Sequence, residues 1–455
     1  MKKSLQLKTP PSLWKNLGPS FILLGLALGS GELILWPYLA ANWGLGLLWG
    51  ALLGISLQYV LNTEVMRYSL AWSESVFVGF RRLSILIPVW YIVSTAIPWS
   101  IPGFSSAAAE IVHRLLPFLP TQAVAIFLLL LAGTVLSVGK SLYKTMVRFQ
   151  TAVILIGMLI IIALTFMFTN IADWQMAGWG ILGNGGSWWF FPAGVQVTAF
   201  LAAFAYAGAG GNLNLAQSFY IKEKGFGMGV YAEKVGSVLR GTHKETTLRG
   251  QTFTQNTANT RRWKEWWRHV TTEHFLIFWL LGFVTIVLLS VLSYATVYSH
   301  ATESGLSFLY AESKVIGDSA GNFVRIVFLS LAAMMLFSTQ LGVLESSARI
   351  ISENIVLLTK WKKNKADVTA SFSIVVWSQI AIGILVYALG FTEPRVLITL
   401  SAILNAAAMM VSFILIGILN KKRLLPAQQP HIWRTAFLIL GAVFFALLLA
   451  LTVFS

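Results

Sequence analysis

The chain has 455 residues, of which 56% are hydrophobic and only 11% are charged. So few charged side chains exclude a water-soluble globular protein of this length, and the lipid bilayer is the expected surrounding. The net charge of +16 would suit a nucleic-acid partner. The basic residues fall in every second predicted loop, which is the pattern of loops kept on the cytoplasmic side, so nucleic-acid binding is not expected.

Apolar runs of about 20 residues recur along nearly the whole sequence, and each is long enough to cross a bilayer as a helix. They predict an all-α integral membrane protein with about eleven transmembrane helices, because barrel strands would alternate apolar and polar residues. Lys2, Lys3, Lys8 and Lys15 precede the first run. They predict a cytoplasmic amino terminus, so that an odd number of spans places the carboxyl terminus on the opposite side of the cell (plasma or inner) membrane.

The spans divide into two predicted five-helix units, residues 1–170 and 190–420, followed by an eleventh helix at 431–455. Inverted five-helix repeats around a midplane site are typical of secondary transporters. The basic segment 221–273 is the one long loop, predicted to be cytoplasmic. Its tryptophan-rich end is expected to lie in the lipid headgroup layer as an interfacial anchor.

Two spans, the first and the sixth, are interrupted by small residues at matching depths. The interrupting residues are Gly29 and Gly31 in the first span, and Gly208, Ala209, Gly210 and Gly211 in the sixth. Glycine inside a helix costs about 1 kcal/mol relative to alanine, so these clusters predict that both helices are broken there. Broken helices in hydrocarbon line a cavity and offer free carbonyls to a cation. Close helix packing is the alternative explanation.

Several short motifs resemble the Nramp family of divalent metal transporters, and the chain looks like a divergent member. The motifs are Gly18-Pro19, Leu57-Gln58-Tyr59 and Gly211-Asn212-Leu213-Asn214-Leu215, together with the interrupted first helix. The resemblance implies the leucine-transporter-type fold. In that family helices 1 and 6 coordinate Mn²⁺, Fe²⁺ or similar ions, usually alongside protons.

Three departures from the family pattern change the expected chemistry. The family's Asp-Pro-Gly-Asn reads Gly29-Ser30-Gly31-Glu32 here, so the aspartate is missing and a glutamate occupies the asparagine position. The family's Met-Pro-His falls on Ala209-Gly210-Gly211, which removes the thioether, and a second histidine tied to proton movement falls on Ala216. The predicted site therefore contains only oxygen ligands, which suit hard cations such as Mn²⁺ and Mg²⁺.

The predicted metal ligands share an oxygen donor and a place beside one of the two interruptions. They are the Glu32 carboxylate, the Ser30 hydroxyl, the Asn212 and Asn214 amides, and the backbone carbonyls of Leu28 and Tyr206. Gln58 and Asn405 are secondary polar candidates, which more often bridge helices. For Glu32, Asn212 and Asn214, capping of the second half-helix is the alternative to ligation.

The sequence thus predicts a secondary transporter of a divalent cation of the Mn²⁺, Mg²⁺ or Fe²⁺ class, working by alternating access. No resident cofactor is expected. H⁺ and Na⁺ are the candidate coupling ions, and uncoupled transport is the alternative. A sodium- or proton-coupled carrier of an amine or amino acid is the alternative on the same fold. A receptor would need an extramembrane domain, and an enzyme would need a nucleophile, base and orienting group at one depth. Neither is expected.

Overall fold

The computed structural model describes residues 5–13, 17–138, 141–232, 246–298 and 306–454. Nearly every described segment is helical, which confirms the all-α prediction. The helices are α1 (Pro19–Ala27), α2 (Trp36–Trp43), α3 (Leu48–Trp72), α4 (Val76–Leu83), α5 (Leu86–Trp99), α6 (Gly103–Leu115), α7 (Thr121–Val138), α8 (Leu142–Phe168), α9 (Ile171–Ile181), α10 (Val197–Ala205), α11 (Gln217–Lys224), α12 (Thr257–His274), α13 (Gly282–Val297), α14 (Ser307–Ala320), α15 (Asn322–Thr359), α16 (Val368–Ala388), α17 (Pro394–Arg423) and α18 (Ile432–Phe454). Two-residue strands, β1 (Thr246–Thr247) and β2 (Lys365–Ala366), pair antiparallel.

Nine helical stretches in the described part of the chain are long and apolar enough to cross a membrane. The chain is therefore an integral membrane protein. The third and sixth predicted spans fall instead on two pairs of shorter helices, α5 with α6 and α10 with α11. The number of eleven spans and the boundaries of the two five-helix units stay predictions.

The first span keeps its helical path through the predicted interruption. A π-helix, Leu28–Leu35, connects α1 to α2 without a gap. The α-helix is interrupted as predicted, but the backbone widens to i→i+5 bonding instead of unwinding. Such π segments satisfy the backbone internally, and they occur frequently at functional sites.

The sixth span is open at its interruption. Helix α10 ends at Ala205, the next residues are irregular, and a 3₁₀ turn at Gly211–Ala216 leads into α11. Gly210 and Gly211 have φ of 75° and 52°, in the left-handed region that favours glycine. The glycine cluster here breaks the helix as predicted.

The tryptophan-rich helix α12 packs on the protein, which corrects the predicted headgroup anchor. Trp263 and Trp266 are buried, and the Trp266 indole donates to the Lys8 carbonyl at 2.7 Å. Helix α12 continues through a π-helix, Phe275–Leu281, into α13, so one helical stretch covers 41 residues. At about 1.5 Å per residue this stretch is about twice as long as the hydrocarbon core is thick. Its first part therefore extends out of the bilayer and covers the amino-terminal segment.

The two interrupted spans touch through a backbone contact that only glycine permits. A Cβ atom added at Gly31 would lie 1.8 Å from the carbonyl oxygen of Tyr206. We expect Gly31→Ala to force the first and sixth spans apart, at a cost of about 1 to 3 kcal/mol. The thermal unfolding midpoint of the purified protein in detergent should fall.

Gly178→Ala in α9 is the matched control, because a Cβ there meets nothing within 4 Å. That variant should match or slightly exceed the wild-type midpoint, since alanine favours helix. Equal midpoints for Gly31→Ala and Gly178→Ala would show that the described contact is not tight.

Candidate functional site

The side chain of Glu32 is fully buried within the π-helix of the first span. Neither carboxylate oxygen has a hydrogen-bond partner among the described residues. Oxygen Oε1 faces Gly282 of α13, where an added Cβ would be 3.4 Å away, and methyl groups of Leu24 and Ile55 would lie 3.1 and 3.0 Å from the same added Cβ. An ionised carboxylate in such apolar surroundings costs several kcal/mol unless a counter-charge joins it.

The Tyr206 carbonyl lies beside the residue that precedes Glu32. It meets Gly31 at the closest approach of the two interrupted spans. Tyr206 follows the last residue of α10, so its carbonyl is at a helix end. The predicted carboxylate and the predicted Tyr206 carbonyl are therefore on adjoining segments, as a shared site requires.

Gln58 of α3 spans the interruption of the sixth helix. Its Nε2 donates to the Ala205 carbonyl at 3.1 Å, on the near side of the break. Its Oε1 accepts from the Gly210 amide at 3.2 Å and from Asn214 Nδ2 at 3.1 Å, on the far side. The sequence offered Gln58 only as a secondary candidate, and the structure assigns it the bonds that hold the open backbone in place.

The two predicted asparagines of the sixth span differ in their bonding. Asn212 donates to Ser94 and Thr95, each at 2.9 Å, and accepts from Ser412 at 3.2 Å, so its amide ties the span to α5 and α17. The Oδ1 atom of Asn214 is buried and has no partner among the described residues. Asn214 is thus free to supply an oxygen, whereas Asn212 is occupied.

Asn405 supplies a further unpartnered oxygen at the sixth-span break. Its Nδ2 donates to the Tyr206 hydroxyl at 3.2 Å and to the Ser401 carbonyl at 2.9 Å. Its Oδ1 has no partner in the described part of the chain and lies against Gly211, where an added Cβ would be 2.0 Å away. Four buried oxygens without partners among the described residues, two on Glu32 and one each on Asn214 and Asn405, therefore flank the two interruptions.

Two predicted ligands of the first span are engaged within their own helix. The Ser30 hydroxyl donates to the carbonyls of Ala27, at 3.1 Å, and Leu26, at 3.3 Å. Leu28 begins the π-helix, so its carbonyl lies inside a hydrogen-bonded turn and not at the free helix end that unwinding would have produced.

The structure also brings together a polar group that the sequence analysis missed. Glu273, the last residue of the predicted loop 221–273, and the adjacent His274 are fully buried against Ser20 at the start of α1. No periodicity connects residue 20 with residue 273, so only the tertiary fold shows this pairing. Among the described residues, no three His, Cys, Asp or Glu side chains are grouped to hold a metal.

A helical membrane bundle whose interrupted spans meet at a buried acid has the architecture of secondary transporters. The fold is similar to that of a mutant of the manganese transporter of Eremococcus coleocola, with a TM-score of 0.74 and 13% identity over 99% of this chain and 90% of that one. The same transporter in complex with an aromatic bis-isothiourea substituted compound gives 0.71 and 12%, with the same coverage.

Mhp1, a nucleobase-cation-symport-1 family transporter in a closed conformation with bromovinylhydantoin bound, gives a TM-score of 0.56 at 12% identity, over 96% of this chain and 92% of that one. No family model and no curated protein matches the sequence. At these identities the likeness shows the fold, and it confirms the expected leucine-transporter-type architecture.

Replacing Gln58 tests whether its three bonds hold the sixth-span break. Gln58→Leu leaves the Ala205 carbonyl, the Gly210 amide and the Asn214 amide without this partner, and each buried group left unpaired costs about 1 to 3 kcal/mol. We expect a clear drop in the thermal unfolding midpoint in detergent.

Gln340→Leu is the control, because among the described residues that buried side chain accepts one hydrogen bond, from the Ser105 amide at 3.2 Å. Its loss should be smaller. If Gln58→Leu is as stable as Gln340→Leu, the three hydrogen bonds of Gln58 contribute nothing measurable to the stability of the protein.

Proposed function

We propose that the chain is a secondary transporter that carries a divalent metal cation across the membrane by alternating access. The observation that carries this proposal is the Glu32 carboxylate, buried without a described partner where the first and sixth spans meet. A cation bound at this point offsets the cost of the buried charge, and the neighbouring neutral oxygens complete its coordination.

The ligand set that fits best consists of the Glu32 carboxylate, the amide oxygens of Asn214 and Asn405, the Tyr206 carbonyl and water. All are oxygens, so the site suits Mn²⁺, Mg²⁺ or Fe²⁺ rather than soft ions. Ser30, Asn212 and Leu28 join only if they leave their present hydrogen bonds. The manganese transport named for one of the fold neighbours makes Mn²⁺ the first ion to test.

The different attachments of the two spans support alternating access. Asn212 fixes the second half of the sixth span to α5 and α17, while Gln58 bridges its open segment. The π-helix of the first span can change register by returning to α-helical bonding. Rocking of the first and sixth spans against the remaining helices would expose Glu32 to each side in turn.

Neutralising Glu32 tests the proposal directly. Purified protein is reconstituted into vesicles that contain a fluorescent metal indicator, and Mn²⁺ and Mg²⁺ uptake is measured. We expect Glu32→Gln to reduce uptake more than about tenfold, because the amide keeps the shape but not the charge. Glu312→Gln in α14 is the matched control, since that carboxylate is also buried but lies outside the site, and it should retain uptake.

Unchanged uptake in Glu32→Gln would remove the central role of this residue. Uptake of a labelled amine or amino acid by vesicles that take up neither metal would replace metal transport with the organic-substrate alternative.

A further inference from the structure

The amino-terminal end of α1 is held by a carboxylate from another span. Oxygen Oε1 of Glu273 accepts from the Gly18 amide at 3.3 Å and from the Ser20 amide at 3.2 Å, and Oε2 accepts from the Ser20 hydroxyl. These amides belong to the helix start, where backbone donors lack internal partners and a negative charge is favourable. Glu273 therefore fastens the first span to the α12–α13 stretch at the end of the bundle predicted to be cytoplasmic.

His274 extends this contact to a third polar side chain. Its Nδ1 lies 2.7 Å from the Ser20 hydroxyl oxygen. The ring stacks on Phe278, with centroids 4.6 Å apart, and on Tyr59 at 5.5 Å. The other ring nitrogen, Nε2, is buried and has no partner among the described residues.

Counting hydrogens restricts the protonation state of this group. The Ser20 hydroxyl has one hydrogen but lies within bonding distance of both Glu273 and His274. If Ser20 donates to the ionised carboxylate, His274 must carry its hydrogen on Nδ1 and donate to Ser20. Nε2 then carries no hydrogen. The three side chains together have one net negative charge, which one added proton would neutralise.

We propose that Glu273, Ser20 and His274 form a proton-binding site that couples proton movement to release of the first span at the predicted cytoplasmic end. The proton enters at His274 Nε2 as the Nδ1 hydrogen passes to Ser20 and the Ser20 hydrogen passes to Glu273 Oε2. His274 stays neutral, and Glu273 becomes a neutral carboxyl group. This inference rests on the proposed transport function and names its coupling ion.

Protonation weakens the attachment for a physical reason. Hydrogen bonds to an ionised carboxylate are about twice as strong as bonds between neutral groups. The neutral carboxyl group also loses its attraction to the positive end of α1. The first span is therefore held while Glu273 is charged and released when the proton arrives. Loss of the proton restores the attachment.

The other charged and titratable groups around Glu273, Ser20 and His274 do not change this assignment of charge. The Lys224 ammonium donates to the Leu17 carbonyl at 3.0 Å, and the Tyr143 hydroxyl lies against Gly18. Glu223 is already paired with Arg349. Tyr59 faces His274 only through its ring.

Polar side chains lie between this group and the proposed cation site. Gln58 contacts Asn214, and Met66, two turns further along α3, contacts Gln217. Asn62 lies between them on the same face of α3, and neither of its side-chain polar atoms has a partner in the described residues. Gln217 in turn donates to Ser20 at 3.5 Å. Asn62 is therefore placed to report when the path between the two sites opens.

The test uses the absence of cysteine from the sequence, which makes any introduced thiol the only one. Asn62→Cys protein in detergent is treated with a permanently charged methanethiosulfonate at about pH 8 and about pH 5.5, between which a buried carboxyl group can change its protonation state. Each rate is divided by that of Ala258→Cys, an exposed position on α12, to remove the effect of pH on the thiol itself. We expect the normalised rate to rise about tenfold at the lower pH.

Two variants made in the Asn62→Cys protein test the roles of Glu273 and His274. Glu273→Gln, which resembles the protonated state, should react fast at both pH values. His274→Asn can still donate to Ser20 but cannot take up a proton, so it should react slowly at both. If Glu273→Gln does not elute as a monodisperse protein, His274→Asn decides the matter.

The proton site would be overturned if the normalised rate of Asn62→Cys is the same at both pH values. It would also be overturned if the rate still depends on pH after His274→Asn. No metal is used, so the outcome does not depend on the proposed function. Manganese uptake together with a flat accessibility response would reject the proton site and keep the transporter. A normalised rate that rises at the lower pH, without uptake of any divalent ion, would keep the proton site and reject the metal transporter.

Discussion

The contact between Gly31 and the Tyr206 carbonyl is the constraint on which the rest of the site depends. No side chain fits between these two backbones, because a Cβ at Gly31 would lie 1.8 Å from the carbonyl oxygen. Their approach brings the Glu32 segment against the open end of α10. It also fixes where a cation would find both a charge and a neutral oxygen.

The two spans meet this constraint in different ways. The first stays helical by widening to π bonding, so its backbone groups remain satisfied inside the membrane. The sixth opens, and its free groups at Ala205 and Gly210 are taken up by Gln58. One span therefore supplies a continuous π-helical segment, and the other supplies an open backbone bonded to Gln58.

Much of this arrangement follows from local sequence. Apolar runs and clustered glycines locate the spans and both interruptions, because length and helix propensity act over a few residues. The form of the first interruption could not be predicted, since π bonding and unwinding place the same glycines at the same depth. The pairing of Ser20 with Glu273 was also beyond reach, because it joins residues more than 250 positions apart.

The asparagines show that the sequence also could not predict which single side-chain atoms lack a hydrogen-bond partner. Asn212 and Asn214 look equivalent in sequence, yet Ser94, Thr95 and Ser412 occupy the first, while Oδ1 of the second stays unpartnered among the described residues. Asn405 was a secondary candidate in the sequence. In the structure its buried Oδ1 lies against Gly211 and, like that of Asn214, has no partner among the described residues.

The most direct measurement of the central claim is the position of a bound ion. Crystals grown with Mn²⁺ and measured near the manganese absorption edge give an anomalous difference peak at the metal. The account predicts a peak about 2 to 2.6 Å from a Glu32 carboxylate oxygen and close to the Tyr206 carbonyl. A fully occupied peak elsewhere, with Glu32 still unpartnered, would contradict it.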